Sequence, residues 1–153
     1  MIDTLKNLSE YNIWANARVL ELFRNIGEPP ADSRSLFSHV LNAQSIWLCR
    51  IINEGCNVTV WQEHAVDEME KLHKYTSYKL AEVVARADDA ELNRKVSYTN
   101  SQGNAYVNQV SDMLTHAFTH AGYHRAQVMR DLRANGFEPV NTDYITYVRE
   151  TKS

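Results

Sequence analysis

Thr115-His116-Ala117-Phe118-Thr119-His120-Ala121-Gly122-Tyr123-His124-Arg125-Ala126-Gln127 holds three of the chain's six histidines at successive four-residue steps. Four residues is a little over one helical turn, so neighbours in such a series stand one above the other on one helix face. Around them Val110, Leu114, Ala117, Ala121, Val128 and Leu132 fall in one narrow sector at ~100° per residue, the core stripe of a long amphipathic helix. His124 lies about 55° from the centre of that stripe, His120 about 95° and His116 about 135°. The first two border the core, and His116 points largely away. Two imidazoles one turn apart can grip one metal ion, as the His-x-x-x-His pair does in metallopeptidases. All three on one ion would be strained. His116 and His124 are ~12 Å apart along the axis, whereas ligating nitrogens sit ~2.0–2.1 Å from zinc. The expected chelating pair is His120 and His124, with His116 in reserve at the rim of the site or at a subunit contact.

A stable divalent site usually takes at least three protein ligands. His39 is the candidate third, on a second amphipathic helix whose inward sector is Leu36, Val40, Ala43 and Trp47 and from which it lies about 80° away. His64 in a loop and His73 on a polar helix face are expected to be solvated. The competing interpretation is structural: imidazoles beside a core are commonly hydrogen-bonded packing residues, and three in a row can be a polar helix flank.

Outward from this segment the period stays helical for most of the chain. A first helix is expected over Asp3–Asn25, carried by Leu5, Leu8, Asn12, Ala15, Val19, Leu22 and Ile26 and stopped by Gly27-Glu28-Pro29-Pro30. Asp32 or Ser33 is placed to cap a second helix that runs to Glu54, before Gly55. A loop with Trp61 covers Asn57–Glu63, and a third, more polar helix covers Val66–Ala87. Between Asn93 and Val107 the period shortens, which predicts a short β-hairpin or extended loop. The fourth long helix spans Asn108–Asn135 and ends at Gly136, and Asp143–Glu150 forms a short closing helix. Four long helices with short connections make an all-α four-helix bundle, where cofactor sites are built between facing helices.

The 153 residues suit a single domain over 1–153 with a sizeable core. A formal charge of −3 without a basic block argues against a nucleic-acid or membrane surface, which needs clustered Lys and Arg. The first residues lack an apolar signal core and no apolar run approaches ~20 residues, so a cytoplasmic location is expected. Cys49 and Cys56 form no Cys-x-x-Cys pair and no disulfide framework, and are expected to be free thiols in a reducing compartment.

Three stretches together resemble the DinB/YfiT-like family of metal-binding four-helix bundles. They are Tyr11-Asn12-Ile13-Trp14-Ala15-Asn16 with Arg18, His39-Val40-Leu41-Asn42-Ala43-Gln44 with Trp47, and His116 through Gln127, of which His120-x-x-x-His124-Arg125-x-Gln127 is the most specific. The family often has Gly where this chain has Ala126. The resemblance implies a divalent metal on His39, His120 and His124 with water in open positions, and a homodimer. Zinc or nickel is the expected ion, with iron or manganese the alternatives, since imidazole does not discriminate among them. Arg125 and Gln127 are candidate cofactor- or substrate-binding residues: a guanidinium can hold an anionic group and an amide can bond a ligand or ligated water. Their structural alternatives are an ion pair with Asp131 and a polar flank. Trp14 and Trp47 are expected to pack in the core.

An ion with an open position lowers the pKa of a bound water or thiol. Some members of the family transfer low-molecular-weight thiols such as bacillithiol or mycothiol, and others isomerise or hydrolyse small molecules. The expected function is therefore a metal-dependent thiol S-transferase or hydrolase acting on a small molecule. The alternatives are a non-catalytic metal-binding stress-related protein and a metal-free helical interaction protein.

Overall fold

Gly27 stops the first helix in a backbone conformation with φ of 84°, open to glycine and strained for other residues. The computed structural model describes residues 1–152. Among them the elements are α1 (Ile2–Ile26), α2 (Ala31–Ile52), α3 (Val66–Arg86), α4 (Asp89–Asn93), β1 (Lys95–Thr99), β2 (Ala105–Gln109), α5 (Val110–Ala134) and α6 (Tyr144–Thr151). The expected all-α bundle is present, with its hairpin before the fourth long helix and its short C-terminal helix. None of these helices is long and apolar enough to cross a membrane.

Two local expectations are corrected. Neither Asp32 nor Ser33 caps α2, which starts behind Pro30 without a side-chain cap. Proline's fixed φ suits that entry, and the Ser33 hydroxyl instead donates to Asp131 of α5 at 2.6 Å. The single helical turn α4 was not expected, because five residues are too few for a period to register. It is held by Asp88, whose carboxylate accepts from the Glu91 N–H at 2.8 Å. The hairpin runs antiparallel from Lys95 opposite Gln109 to Thr99 opposite Ala105, two residues further than the shortened period indicated.

The core is split into two apolar clusters. One contains Leu5, Leu48, Ile51, Leu80, Val84, Val110, Met113, Leu114 and Phe118. The other contains Val19, Leu20, Phe23, Phe37, Val40, Leu41, Met69, Ala121, Val128 and Leu132. Which end of each helix joins which cluster fixes the directions: α1 and α5 run one way, α2 and α3 the other. Because α2 and α3 are parallel, the chain between them, residues 53–65, must travel the length of the bundle. Such a crossover distinguishes this topology from a simple up-down-up-down bundle. It runs back along α2, and that path positions the site.

Between the two clusters lies a buried polar layer contributed by all four long helices. Arg125 donates to the side-chain oxygens of Asn12 and Asn16 at 2.9 and 2.8 Å. Both asparagines donate to Gln44 Oε1 at 2.9 and 2.8 Å. Gln44 in turn donates to Thr76 and Ser77 at 3.1 and 2.9 Å, and Ser77 meets His73 Nδ1 at 2.8 Å. Every member is buried. His73 is therefore not the solvated histidine expected: it is 4% exposed, and burial, only partly opposed by Glu70, pushes its pKa down to about 4.

Candidate metal centre

His120 and His124 stand one turn apart on α5, and His39 faces them from α2, the helix against which α5 packs most extensively. The His39 and His120 Nε2 atoms are 3.3 Å apart, and those of His120 and His124 are 3.1 Å apart. Two nitrogens held at ~2.0–2.1 Å by one tetrahedral ion are roughly 3.3 Å apart, so the spacing is that of adjacent vertices around a cation.

The outer ring nitrogens decide what the inner ones can do. His39 Nδ1 lies 3.0 Å from the Val60 carbonyl, which only accepts, so the proton is on Nδ1 and Nε2 carries a lone pair. His124 Nδ1 is likewise 2.7 Å from Gln127 Oε1. Two lone pairs thus converge on His120 Nε2, which has at most one proton to give. A cation resolves that surplus of acceptors. Burial first, then the neighbouring His124, His39 and His116, pushes the His120 pKa down to about 4. Burial also lowers that of His39, against the Val60 carbonyl, which raises it. Neutral imidazole is the form that binds metal. On donor type, spacing and tautomer the three residues fit a divalent ion.

The crossover completes the centre. Trp61 stacks on His39, with ring centroids 4.0 Å apart and planes 12° off parallel. Asn42, one turn beyond His39, donates to the Val60 and Gln62 carbonyls at 3.3 and 2.7 Å and contacts His64 Nε2 at 2.6 Å through its Oδ1. His64 is thus a half-buried brace of the crossover and not a free surface imidazole. The roles of Val60, Trp61 and Asn42 were not anticipated. A backbone carbonyl leaves no mark in a sequence, and a loop tryptophan says nothing of the ring it will cover.

The remaining candidates divide. His116 is at the rim, its ring 5.2 Å from that of His120 and 4.9 Å from that of Trp47. Gln127 touches His124 itself and fixes its orientation, the usual outer partner of a ligating histidine. Arg125 is fully buried and turned to α1, with its guanidinium 5.2 Å from the Tyr11 ring. The alternative ion pair with Asp131 is not formed; its bonds to Asn12 and Asn16 tie α5 to α1, and its Nε and Nη2 are buried without a partner among the described residues. Trp14 and Trp47 are half-buried, each under an arginine, Arg18 and Arg50 respectively.

Fold and histidines together define a helical bundle with a three-histidine centre between its second and last long helices. The DinB family model matches residues 1–153, and the chain belongs to the DinB family. It is similar to the protein DinB of Bacillus subtilis (strain 168), with 25% identity covering all of this chain and 98% of that protein.

Proposed function

We propose that His39, His120 and His124 hold one divalent cation, zinc or nickel foremost, and that the protein is a metal-dependent enzyme using water or a low-molecular-weight thiol against a small molecule. The observation that carries this is the convergence of ring nitrogens whose outer protons are already committed to Val60 and Gln127. A cation at that point supplies the Lewis acidity that makes a coordinated water or thiol lose its proton near neutral pH. The protein's part is positioning. Val60 and Gln127 keep two rings in one tautomer, and the Trp61 ring shields one side of His39 from water. A cavity of about 280 Å³ lined by Trp47, Tyr98, Asn108, Asp112, Met113 and His116 lies along the same face of α5. Its His116 wall borders His120, so it is the place for a co-substrate with an aromatic or apolar part that meets Trp47, Tyr98 and Met113. A larger cleft of about 450 Å³ lies on the opposite flank of α5, by Gly122, Ala126 and Arg130.

Elemental analysis of protein purified without chelator is expected to give about one divalent ion per chain, falling below about a tenth in His120→Ala. Adding a small thiol such as cysteine to the nickel-loaded protein is expected to produce an ultraviolet charge-transfer band that the variant lacks. Metal without any thiol or solvent response would leave a non-catalytic metal protein. No metal at all would leave a helical interaction protein.

A further inference from the structure

Cys49 and Cys56 lie apart from the histidine centre and have no part in the function proposed above. Their spacing of seven residues promises no contact, since Cys49 is in the last turn of α2 and Cys56 is beyond its end. The backbone brings them together. Asn53 takes a left-handed conformation, φ 57° and ψ 48°, and the Glu54 N–H closes the turn on the Cys49 carbonyl at 2.9 Å. The chain then reverses along α2 and sets Cys56 beside Ser45, one turn back from Cys49. The Ser45 hydroxyl is 3.4 Å from the Cys56 sulfur, and Ser45 precedes Cys49 by four residues on α2, so Cys56 is set against the helix face that carries Cys49.

We propose that Cys49 and Cys56 are a reversible dithiol–disulfide site, oxidised by low-molecular-weight disulfides, that fastens the crossover to α2.

The two thiols are not equivalent, and the difference assigns their order of reaction. Cys56 is exposed and Cys49 half-buried. Burial raises the Cys49 pKa to about 11, and the neighbouring Cys56 raises it further within that value. At Cys56 partial burial is outweighed by bonds from the Ser45 hydroxyl and the Val58 backbone, which bring its pKa below the usual thiol value. Thiolate is the attacking species in exchange. In the first step the Cys56 thiolate attacks one sulfur of the oxidant; the oxidant's S–S bond breaks, one thiolate leaves, and a mixed disulfide remains on Cys56. In the second, Cys49 loses its proton to water and attacks the Cys56 sulfur, expelling the other half of the oxidant as thiolate. The chain has given up two electrons and two protons, and one disulfide molecule has become two thiols. A reducing compartment reverses both steps.

The consequence follows from the crossover's path. Cys56 is at its root, and Val60 and Trp61, which hold and cover His39, lie a few residues further on. The bond would pin that root where Ser45 now meets it through a single hydroxyl–sulfur contact.

The test is oxidation of the full chain with glutathione disulfide, followed by mass spectrometry without reduction. The expected result is loss of two hydrogens and one internal peptide link between Cys49 and Cys56. Cys49→Ser is expected to stop at one glutathione adduct on Cys56, and Cys56→Ser to react at least about tenfold more slowly. In brief labelling of reduced protein, iodoacetamide should modify Cys56 about tenfold faster than Cys49. A wild-type protein that gives only adducts or intermolecular links would overturn the proposal, as would equal labelling of the two cysteines. Running the same oxidation on His120→Ala separates the two proposals, because the dithiol needs no metal.

Discussion

The bundle contains two polar assemblies on α5, and they are built on opposite principles. Around Arg125 the side chains of Asn12, Asn16, Gln44, Thr76, Ser77 and His73 bond one another across all four long helices, and only the Nε and Nη2 of Arg125 itself, both buried, find no acceptor among the described residues. Around His120 the outer nitrogens of His39 and His124 are satisfied while their inner ones face the same point with nothing to share. A network whose members face each other fixes a core. One in which lone pairs oriented from outside converge on a single point, with at most one proton to share among them, is a site for a cation. Both are near-buried and both use residues that sequence statistics place at surfaces, so burial alone would not tell them apart.

The sharpest way to break this contrast is to remove one member of each. Arg125→Met leaves two buried asparagine oxygens without a donor, and is expected to destabilise by about 3 kcal/mol in urea unfolding. His120→Ala in protein stripped of metal is expected to change stability by less than about 1 kcal/mol, since its Nε2 can give at most one hydrogen bond, to His39 or His124. Equal losses would mean that the histidine centre is also a structural network.

A second measurement sharpens the comparison through pH. The pKa of His73 in the folded protein is about 4, against an ordinary 6.5. The unfolded chain therefore takes up the proton first. The contribution of neutral His73 is complete above pH 6.5, drains away as pH falls to about 4, and is gone below. At about 1.4 kcal/mol per tenfold change in proton affinity it amounts to about 3 kcal/mol. Measured in a His120→Ala background, so that the ligand imidazole does not contribute, the decline between pH 6.5 and 4 is expected to flatten when His73→Gln is added. An unchanged slope would place the titration elsewhere.

How much of this was legible beforehand follows the range of each interaction. Apolar residues at three- and four-residue steps mark the long helices directly, and His120 and His124 announce a shared face because α-helical rise is fixed. His39 could be proposed from its place beside the Leu36, Val40, Ala43 and Trp47 stripe. The polar layer could not. Asn12 interrupts an apolar stripe visibly, but its partners are 32 and 113 positions away in the chain. Nothing local pairs it with Gln44 and Arg125 in preference to a backbone carbonyl. In the sequence the crossover looks like an ordinary loop, because helix direction is set by which ends share a core. The nearness of Cys49 and Cys56 depends on one left-handed residue, Asn53.

The smallest expected effect is the most discriminating, because Gln127 stands where the two assemblies could be confused. It is polar, on the same helix as Arg125 and two residues from it, yet its oxygen serves His124 Nδ1. If its task is orientation, Gln127→Leu frees the His124 ring to rotate or exchange tautomer while leaving the Arg125 layer intact. Zinc affinity measured by competition with a chromophoric chelator is then expected to fall about 10–100-fold. Urea stability of the metal-stripped protein should stay within about 0.5 kcal/mol. Gln127→Glu supplies a stronger acceptor for the same N–H and is expected to retain or exceed wild-type affinity. If instead the leucine variant bound zinc normally but unfolded as readily as Arg125→Met, Gln127 would belong to the core, and the orientation of His124 would have to come from the metal alone.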